Sequence, residues 1–576
     1  MVKILLLFFA LSFLLKTDHS FDQDLGRHIK LGEIIVKNSQ IPKTNLFSYT
    51  NPDFPFINTH WLFEVLAYFF SQTGNLSLFL YLKVVIILFS IWLTIKIIPK
   101  TNTALFLPIG FIFFHVLRER TDLRPEIFSF LFTSGTYYIL EQYLKKGTKL
   151  IFLLPLVTLL WINMHIYFFV GLTLQAIFLI FVAYQYLRFH PKVFDSEKMS
   201  PQEFDGELSR TVQTRRGGRL KLLSLIFLLS VFLSLLNPNG IKGVLYPLNL
   251  TKNYGYTIVE NQTMFLLESI QFRNPNFMFV KISLVIIAFS LIISLKRKVF
   301  DLRNTLVSLF GLGLALANVR SFPYLVFLSL PALLKNFGPV KFNKGIAILS
   351  LLAGFFLIWE SFIYLNGDYY RSRDENSQVN LQFKERGKEA LDFVLVHNLP
   401  GPIFNNFDIG SYIIYRGYPK YQVFVDGRPE SYPKEFFQNT YIPAQSDYSR
   451  FKDFEKQFGF KTIIFSHTDQ TPWGRNFLQN VAKDKDWKVA YLDDFMIILV
   501  KSEVFNNLPQ IDLSKLTPNS FNYLNHVSFL RLALFLLLTD NADSAGQFAT
   551  RALQIFPNSP TANALFNLKS TDTIFW

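Results

Sequence analysis

The sequence predicts a polytopic all-α membrane domain followed by a soluble α/β domain and a short helical repeat. Three observations carry this. Apolar residues make up 50% of the 576 residues and charged residues only 17%, against about 25% charged in an ordinary soluble domain. The apolar residues come in long runs such as 84–93, 104–116 and 346–359, which fit membrane spans better than amphipathic core helices. Beyond Asp368 no such run occurs. The expected divisions are a membrane domain over 1–366, an α/β domain over 367–505 and a helical tail over 506–576.

The chain has no cysteine, which excludes disulfides and thiolate metal sites. Its net charge of +15 points to topology rather than nucleic acid, because loop basicity in a membrane protein reports orientation.

A first span is expected at 4–15, between Lys3 and Lys16, with its N-terminus inside. No small-residue cleavage site follows it. Further spans are expected near 76–98, 102–117, 125–144, 149–165, 167–187, 220–236, 277–295, 302–318, 322–334 and 346–365. That makes about eleven. Lys96, Lys100, Lys145, Lys146 and Lys149 then fall on one side, as do the basic stretch 188–221, Lys296–Lys298, Lys335, Lys341 and Lys344. That side is the cytoplasm, so the soluble region is expected outside. Arg118, Arg120, Arg124 and Arg320 lie outside against this bias, which calls for an anionic partner.

The first outer loop, 17–75, is chemically dense. Leu25, Ile29, Gly32, Ile35 and Val36 form one helical stripe, so an amphipathic helix in the membrane interface is expected. Asp24 and His28 stand i,i+4 on one face. Asp22 and Asp24 sit at its start, where the helix dipole favours anions. The same outer side receives Arg118 to Glu126, the hairpin tip with Asn163 and His165, the turn Asn237-Pro238-Asn239-Gly240 leading to Glu260 and Glu268, and Asn318-Val319-Arg320. Each alone is an ordinary cap or anchor. Together they bring acids, arginines and histidines from five loops to one membrane face. No GxGxxG, P-loop or HExxH motif is present, and His28, His60 and His165 lack the tight spacing of a metal site.

Three patterns stand out: DQDLGRHIKLGEII over 22–35, IPKTNLFSYT over 41–50 and HWLFEV over 60–65. With Arg124-Pro125-Glu126, WINMH over 161–165, Asn237-Pro238 and the soluble FNNFDIGSYIIYR…VFVDGR, they resemble the large bacterial group of membrane glycosyltransferases of GT-C type. The chain is similar to the aminoarabinose transferase and Rgt-like families over nearly its whole length. The resemblance implies a plasma (inner) membrane enzyme that takes sugar from a polyprenyl-phosphate donor, not a nucleotide sugar. The acceptor would be a lipid, glycan or protein on the extracytoplasmic face. An acid of the first outer loop is catalytic in such enzymes, which favours Asp24, with Asp22 second. Where relatives carry aromatic residues after this acid and Leu, this chain has Gly26-Arg27.

The chemistry suits that implication. A carboxylate within reach of an acceptor hydroxyl can serve as general base. Arginines stabilise a departing phosphate, and Arg118, Arg120, Arg124 and Arg320 are the candidates. His28, His60, Glu64, Asn163 and His165 are the candidate substrate contacts. No cofactor is implied, and a divalent metal stays open.

In the soluble part, strands are expected at 402–405, 422–426, 462–466, 488–492 and 495–500, with helices at 384–397 and 451–458. The turn 405–410 and the segment 426–430 lie at strand ends, where α/β sheets bind ligands. This makes Asp426 and Arg428 further candidates for substrate contact. Residues 526–559 carry one unit resembling a tetratricopeptide, through Leu532, Ala533, Leu536, Ala545, Ala549, Ala552 and Pro557. A single unit leaves a face to bury, against the α/β domain or a protein partner.

Two other functions compete. A lipid or solute transporter would carry ionisable groups at mid-membrane and repeated halves. A non-catalytic membrane assembly protein would dock through its tail and have no buried acid facing arginines.

Overall fold

The computed structural model describes residues 2–99, 103–188, 206–249, 252–270, 272, 274–505, 508–523 and 525–567. Five of its helices are long and apolar enough to cross a membrane: Ser77–Ile97, Ile166–Arg188, Gly217–Ser234, Asn276–Lys296 and Lys344–Leu365. A helix of that length reaches about 30 Å, the thickness of a bilayer's hydrocarbon core. Their outer faces expose Leu228, Val285, Leu351, Phe355 and Phe362. Such a belt is unstable against water and stable against lipid, which makes this a membrane protein.

The expected count of about eleven goes beyond these five. Several remaining segments form shorter apolar helices, among them Val2–Leu14, Leu105–Leu117, Lys149–Met164 and Leu302–Ala317. The segment expected at 322–334 is a π turn, Leu325–Ser329, followed by the short helix Leu330–Asn336. Helix Glu126–Lys146 is long enough but buries Ser129, Thr133, Ser134, Thr136 and Glu141, which lowers its hydropathy. Of the basic positions, Lys100 and 189–205 lie outside the described residues. At the far end of helix Glu126–Lys146, fully buried Glu141 meets Lys335 at 2.7 Å and Arg303 at 3.4 Å.

Helix Val2–Leu14 is enclosed on one face, while Ile4 and Phe8 stay exposed. Leu6, Phe9, Ala10 and Leu14 are fully buried, and Phe9 lies 5.0 Å from His115 and 6.1 Å from Tyr364, ring to ring. Its short length is therefore offset by protein neighbours.

The loop helix runs over Gly26–Asn38 and follows a π turn, Phe21–Leu25, that carries both Asp22 and Asp24. Leu25, Ile29, Gly32 and Ile35 are buried against helix Trp61–Ser71 and the soluble domain. Gly32 allows the approach, because a Cβ there would stand 2.0 Å from the Glu64 carbonyl oxygen. Of the expected stripe all but Val36, which is 37% exposed, face protein.

The soluble region holds a four-stranded sheet: β1 (Ile403–Asn405), β2 (Thr462–Ser466), β3 (Trp487–Leu492) and β4 (Met496–Lys501). The order is β1-β2-β4-β3, with β1 parallel to β2 and the other pairs antiparallel. The strand expected at 422–426 is absent from it. Val423 instead pairs with the loop 17–75, through Val423 N–H to Phe47 O at 2.9 Å and Tyr49 N–H to Val423 O at 3.3 Å. The turn expected at 405–410 opens helix Phe407–Gly417. Gly410 there permits close packing, since its Cβ would fall 2.2 Å from the Val425 carbonyl oxygen.

Further backbone bonds join the loop and the soluble region. Asp18 N–H donates to Gln382 O at 3.0 Å, and Lys384 N–H donates to Asp18 O at 3.0 Å. The tail forms a helical hairpin, His526–Leu538 and Ala542–Ile555, packed on the chain's own soluble domain. His526 meets Asp374 at 2.9 Å, the Ser528 hydroxyl donates to Asp494 at 2.6 Å, and Phe535 lies 4.8 Å from the His467 ring.

Candidate functional site

A cavity of about 150 Å³ opens where the loop 17–75, the ends of the membrane helices and the soluble region meet. Asp24, His28, His60, Glu64, Arg120, Arg124, His165 and Arg320 all line it. Five separate stretches thus converge, and the 427–430 segment covers them through Gly427, Pro429 and Glu430.

Asp24 stands between cations. Its Oδ1 lies 3.4 Å from Arg27 and its Oδ2 3.5 Å from Arg124, and its side chain keeps 25% exposure. Burial works against its charge, but Arg124 and Arg27 outweigh that and hold the carboxyl below its usual range. It is therefore ionised at neutral pH and held by long contacts.

Asp22 has a different place. It is 1% exposed and does not line the cavity. Its carboxylate accepts from the Arg386 backbone N–H at 3.1 Å, the Arg386 Nε at 3.4 Å and the Gly387 N–H at 3.4 Å. Burial pushes its carboxyl up, against the pull of Arg386. Asp22 ties the π turn to the start of helix Lys388–Val396.

Three of the four candidate arginines gather round one acid that sequence reasoning left out of the site, Glu260. Arg124 donates to both its oxygens at 3.0 Å, Arg320 donates to one at 3.2 Å, and Arg120 pairs with it as well. Arg120 also grips Glu126 at 2.8 and 3.1 Å. These pairs hold the Glu260 carboxyl well below its usual range despite its burial. Arg118 points elsewhere. It donates to Asn276 Oδ1 at 2.9 Å and Tyr364 OH at 2.7 Å, over the Tyr369 ring. Arg120, Arg124 and Arg320 line the cavity, and Arg118 does not.

His28 Nδ1 lies 3.2 Å from Glu64 Oε1, and Asn58 donates to the other Glu64 oxygen at 2.5 Å. Burial pushes Glu64 up, and it lowers His28 and His60, the latter to about 3. The imidazoles are thus neutral. The His28, His60 and His165 rings follow one another at 5.8 and 5.4 Å. Among the described residues no group of three or more His, Cys, Asp or Glu could hold a metal ion. Trp61 Nε1–H donates to the Asn163 carbonyl oxygen at 2.7 Å, while the Asn163 amide donates to Leu159 O and Leu236 O. Asn163 is a brace outside the cavity lining.

Asp426 and Arg428 also leave the candidate list. They pair at 2.7 and 2.8 Å, Tyr432 OH donates to Asp426, and Arg428 donates to Asn45 of the first outer loop. The pair locks the covering segment onto that loop. Besides Glu260, sequence reasoning missed Glu126, Glu430 and the cavity tyrosines Tyr246 and Tyr254. Glu126 and Glu430 carried local signals, inside Arg124-Pro125-Glu126 and the strand-end segment 426–430.

No family model and no curated protein matches the chain. Solved structures similar to it are of the oligosaccharyltransferase AglB from Archaeoglobus fulgidus. One, in complex with an inhibitory peptide and a dolichol-phosphate, has TM-score 0.49 and 11% identity over 96% of this chain and 86% of that chain. The apo form has TM-score 0.48 and 12% identity over 83% of this chain and 70% of that chain. A form tethered to an acceptor peptide has TM-score 0.47 and 11% identity over 96% and 86%.

Proposed function

We propose that this chain is a membrane glycosyltransferase that moves a sugar from a polyprenyl-phosphate donor to an acceptor on the extracytoplasmic face. The observation that carries this is Asp24, an ionised carboxylate in a cavity at the span ends, set between Arg27 and Arg124. A polyprenyl chain stays in the bilayer while its phosphate reaches the helix ends. The acceptor hydroxyl attacks the anomeric carbon and gives its proton to Asp24. The bond from that carbon to the phosphate oxygen breaks, and the electron pair leaves with the phosphate. Arg120, Arg124 and Arg320 stabilise the charge gained there. An ionisable cluster at the span ends supports this over a transporter, in which such groups line mid-membrane paths.

The arginine assignment has a direct test. Arg124→Ala is expected to weaken binding of polyprenyl phosphate by roughly 10- to 100-fold, as for loss of a hydrogen bond to a charged group. Arg124→Lys should restore part of it, since lysine lacks the two-point grip. Titration in detergent against the purified chain reads this. Unchanged affinity after Ala substitution at Arg120, Arg124 and Arg320 in turn sinks the assignment.

Orientation follows from the same proposal, with the N-terminus cytoplasmic and the soluble region outside. The cysteine-free sequence makes labelling clean. A membrane-impermeant maleimide added to intact cells is expected to label a cysteine at Lys456 and spare one at Lys298, both exposed positions. The reverse pattern overturns the outer site.

A further inference from the structure

Arg118 breaks the charge bias as Arg120, Arg124 and Arg320 do, but the cavity makes no use of it. The other three all pair with Glu260. Arg118 makes no ion pair among the described residues. Its Nε donates to Asn276 Oδ1 and its Nη1 to Tyr364 OH. Its Nη2 group has no acceptor among the described residues, and the residue is only partly buried. Glu360 is the carboxylate whose field reaches Arg118, and it is taken up by His115 at 2.6 Å.

A second guanidinium stands beside it. Arg118 lies 5.3 Å from the Tyr369 ring and Arg373 lies 3.8 Å from the same ring. Arg373 is exposed, donates to the Tyr369 carbonyl oxygen at 3.2 Å, and likewise makes no ion pair among the described residues. Asp368, on the same turn, is paired with Arg371 at 3.0 Å. Two guanidiniums drawn to one ring repel each other, and an anion shared between them offsets that repulsion.

The place of the pair says what kind of anion fits. Arg118 follows helix Leu105–Leu117, Asn276 opens helix Asn276–Lys296 and Tyr364 stands near the end of helix Lys344–Leu365. Apolar helices end together here, which is the level of lipid headgroups. Along the same helices Phe111 lies 6.5 Å from Phe279 and 6.4 Å from Phe356, ring to ring. All three rings keep exposed surface. Rings along the span offer apolar contact to an acyl chain, and the arginines at its end offer charge to a phosphate.

We infer that Arg118 and Arg373 hold the phosphate of an anionic glycerophospholipid, seated outside the catalytic cavity. A headgroup that carries an ammonium would bring a further cation to a site already cationic. A donor phosphate belongs beside Asp24, in a cavity that Arg118 does not line. The inference therefore stands apart from the glycosyl-donor reading.

The full chain in detergent is titrated with phosphatidylglycerol and phosphatidylcholine of the same acyl chains. The native chain is expected to bind phosphatidylglycerol at least about tenfold more tightly, the worth of one charge-assisted contact. Arg118→Gln should bring that ratio near one, and Arg118→Lys should keep part of it. Because Arg118 also braces Asn276 and Tyr364, Arg373→Gln serves as a second variant at an exposed position and should lower the ratio as well. Lys242→Gln, an equal loss of charge at another exposed position, should leave it unchanged. Excess polyprenyl phosphate should leave the bound phosphatidylglycerol in place. Equal binding of the two lipids by the native chain overturns the inference, and so does a ratio that survives both arginine changes. A ratio that falls as far with Lys242→Gln marks general attraction to a basic chain and overturns it too. Displacement by polyprenyl phosphate assigns the seat to the donor, which overturns the inference and leaves the donor reading intact.

Discussion

Asp24→Asn is expected to slow glycosyl transfer by roughly 10²–10⁴, the usual contribution of a general base. The substitution keeps the shape of the side chain and removes the proton acceptor. It also relieves Arg124 and Arg27 of the one carboxylate they share, so affinity for an anionic donor should hold or rise. Slow transfer with intact binding is the signature of a group acting on the reacting atoms. Because Arg124 and Arg27 hold this carboxyl below the usual range, its base function should persist down through mildly acidic pH and fail only below the ordinary carboxylate range. Asp22→Asn should behave otherwise. Its carboxylate accepts from Arg386 and Gly387, so the loss falls on stability, at about 1 kcal/mol for a capping-type contact. Assay of both variants with a lipid-linked sugar decides the matter. Full turnover in Asp24→Asn, or equal slowing by the two variants, removes Asp24 from the proposed mechanism.

Asp24 with His28, and His60 with Glu64, were legible in the sequence because each pair is local, whereas the His28–Glu64 contact that joins the pairs spans 36 positions. Asp24 and His28 are four residues apart in a helical segment, and such spacing fixes a shared face. The arginines were not separable this way. Arg118 and Arg120 lie in one 3₁₀ turn, where each residue rotates by about 120°, so side chains two apart diverge. Arg120 enters the cavity and Arg118 meets Tyr364. Glu260 was counted among the acids of the converging loops but not singled out as a site residue, for a different reason. Its three arginine partners come from positions 120, 124 and 320, and no pattern in its own loop announces them. Segment 422–426 shows the limit of a short apolar run as a signal. Val423 and Val425 are buried as in a strand, but the partner of Val423 is the first outer loop and not a sheet neighbour. Helix Phe407–Gly417 was masked by Gly410, whose lack of a side chain serves close packing rather than a turn.

Asp18→Ala is expected to destabilise the chain by about 3–5 kcal/mol, the cost of leaving a buried charge without its partner. Asp18 and Lys83 are both fully buried and meet at 2.9 Å. The same Asp18 Oδ2 accepts from the Leu123 N–H at 2.8 Å, and its Oδ1 accepts from the Ser20 N–H at 3.0 Å. One carboxylate thus joins helix Ser77–Ile97, the stretch beside Arg124 and the approach to the π turn that carries Asp24. A lysine inside an apolar helix is costly and is retained where it is paired. If pairing is the reason, Asp18→Ala with Lys83→Met should recover most of the loss, because an apolar replacement leaves no stranded charge. Recovery should be less complete for transfer than for stability, since Leu123 loses its acceptor and Arg124 is the next residue. Thermal unfolding of the detergent-solubilised single and double variants separates the two effects. A single variant within about 1 kcal/mol of the parent, or a double variant no more stable than Asp18→Ala, would show that Lys83 reaches water or another anion and that the ion pair does not hold the loop.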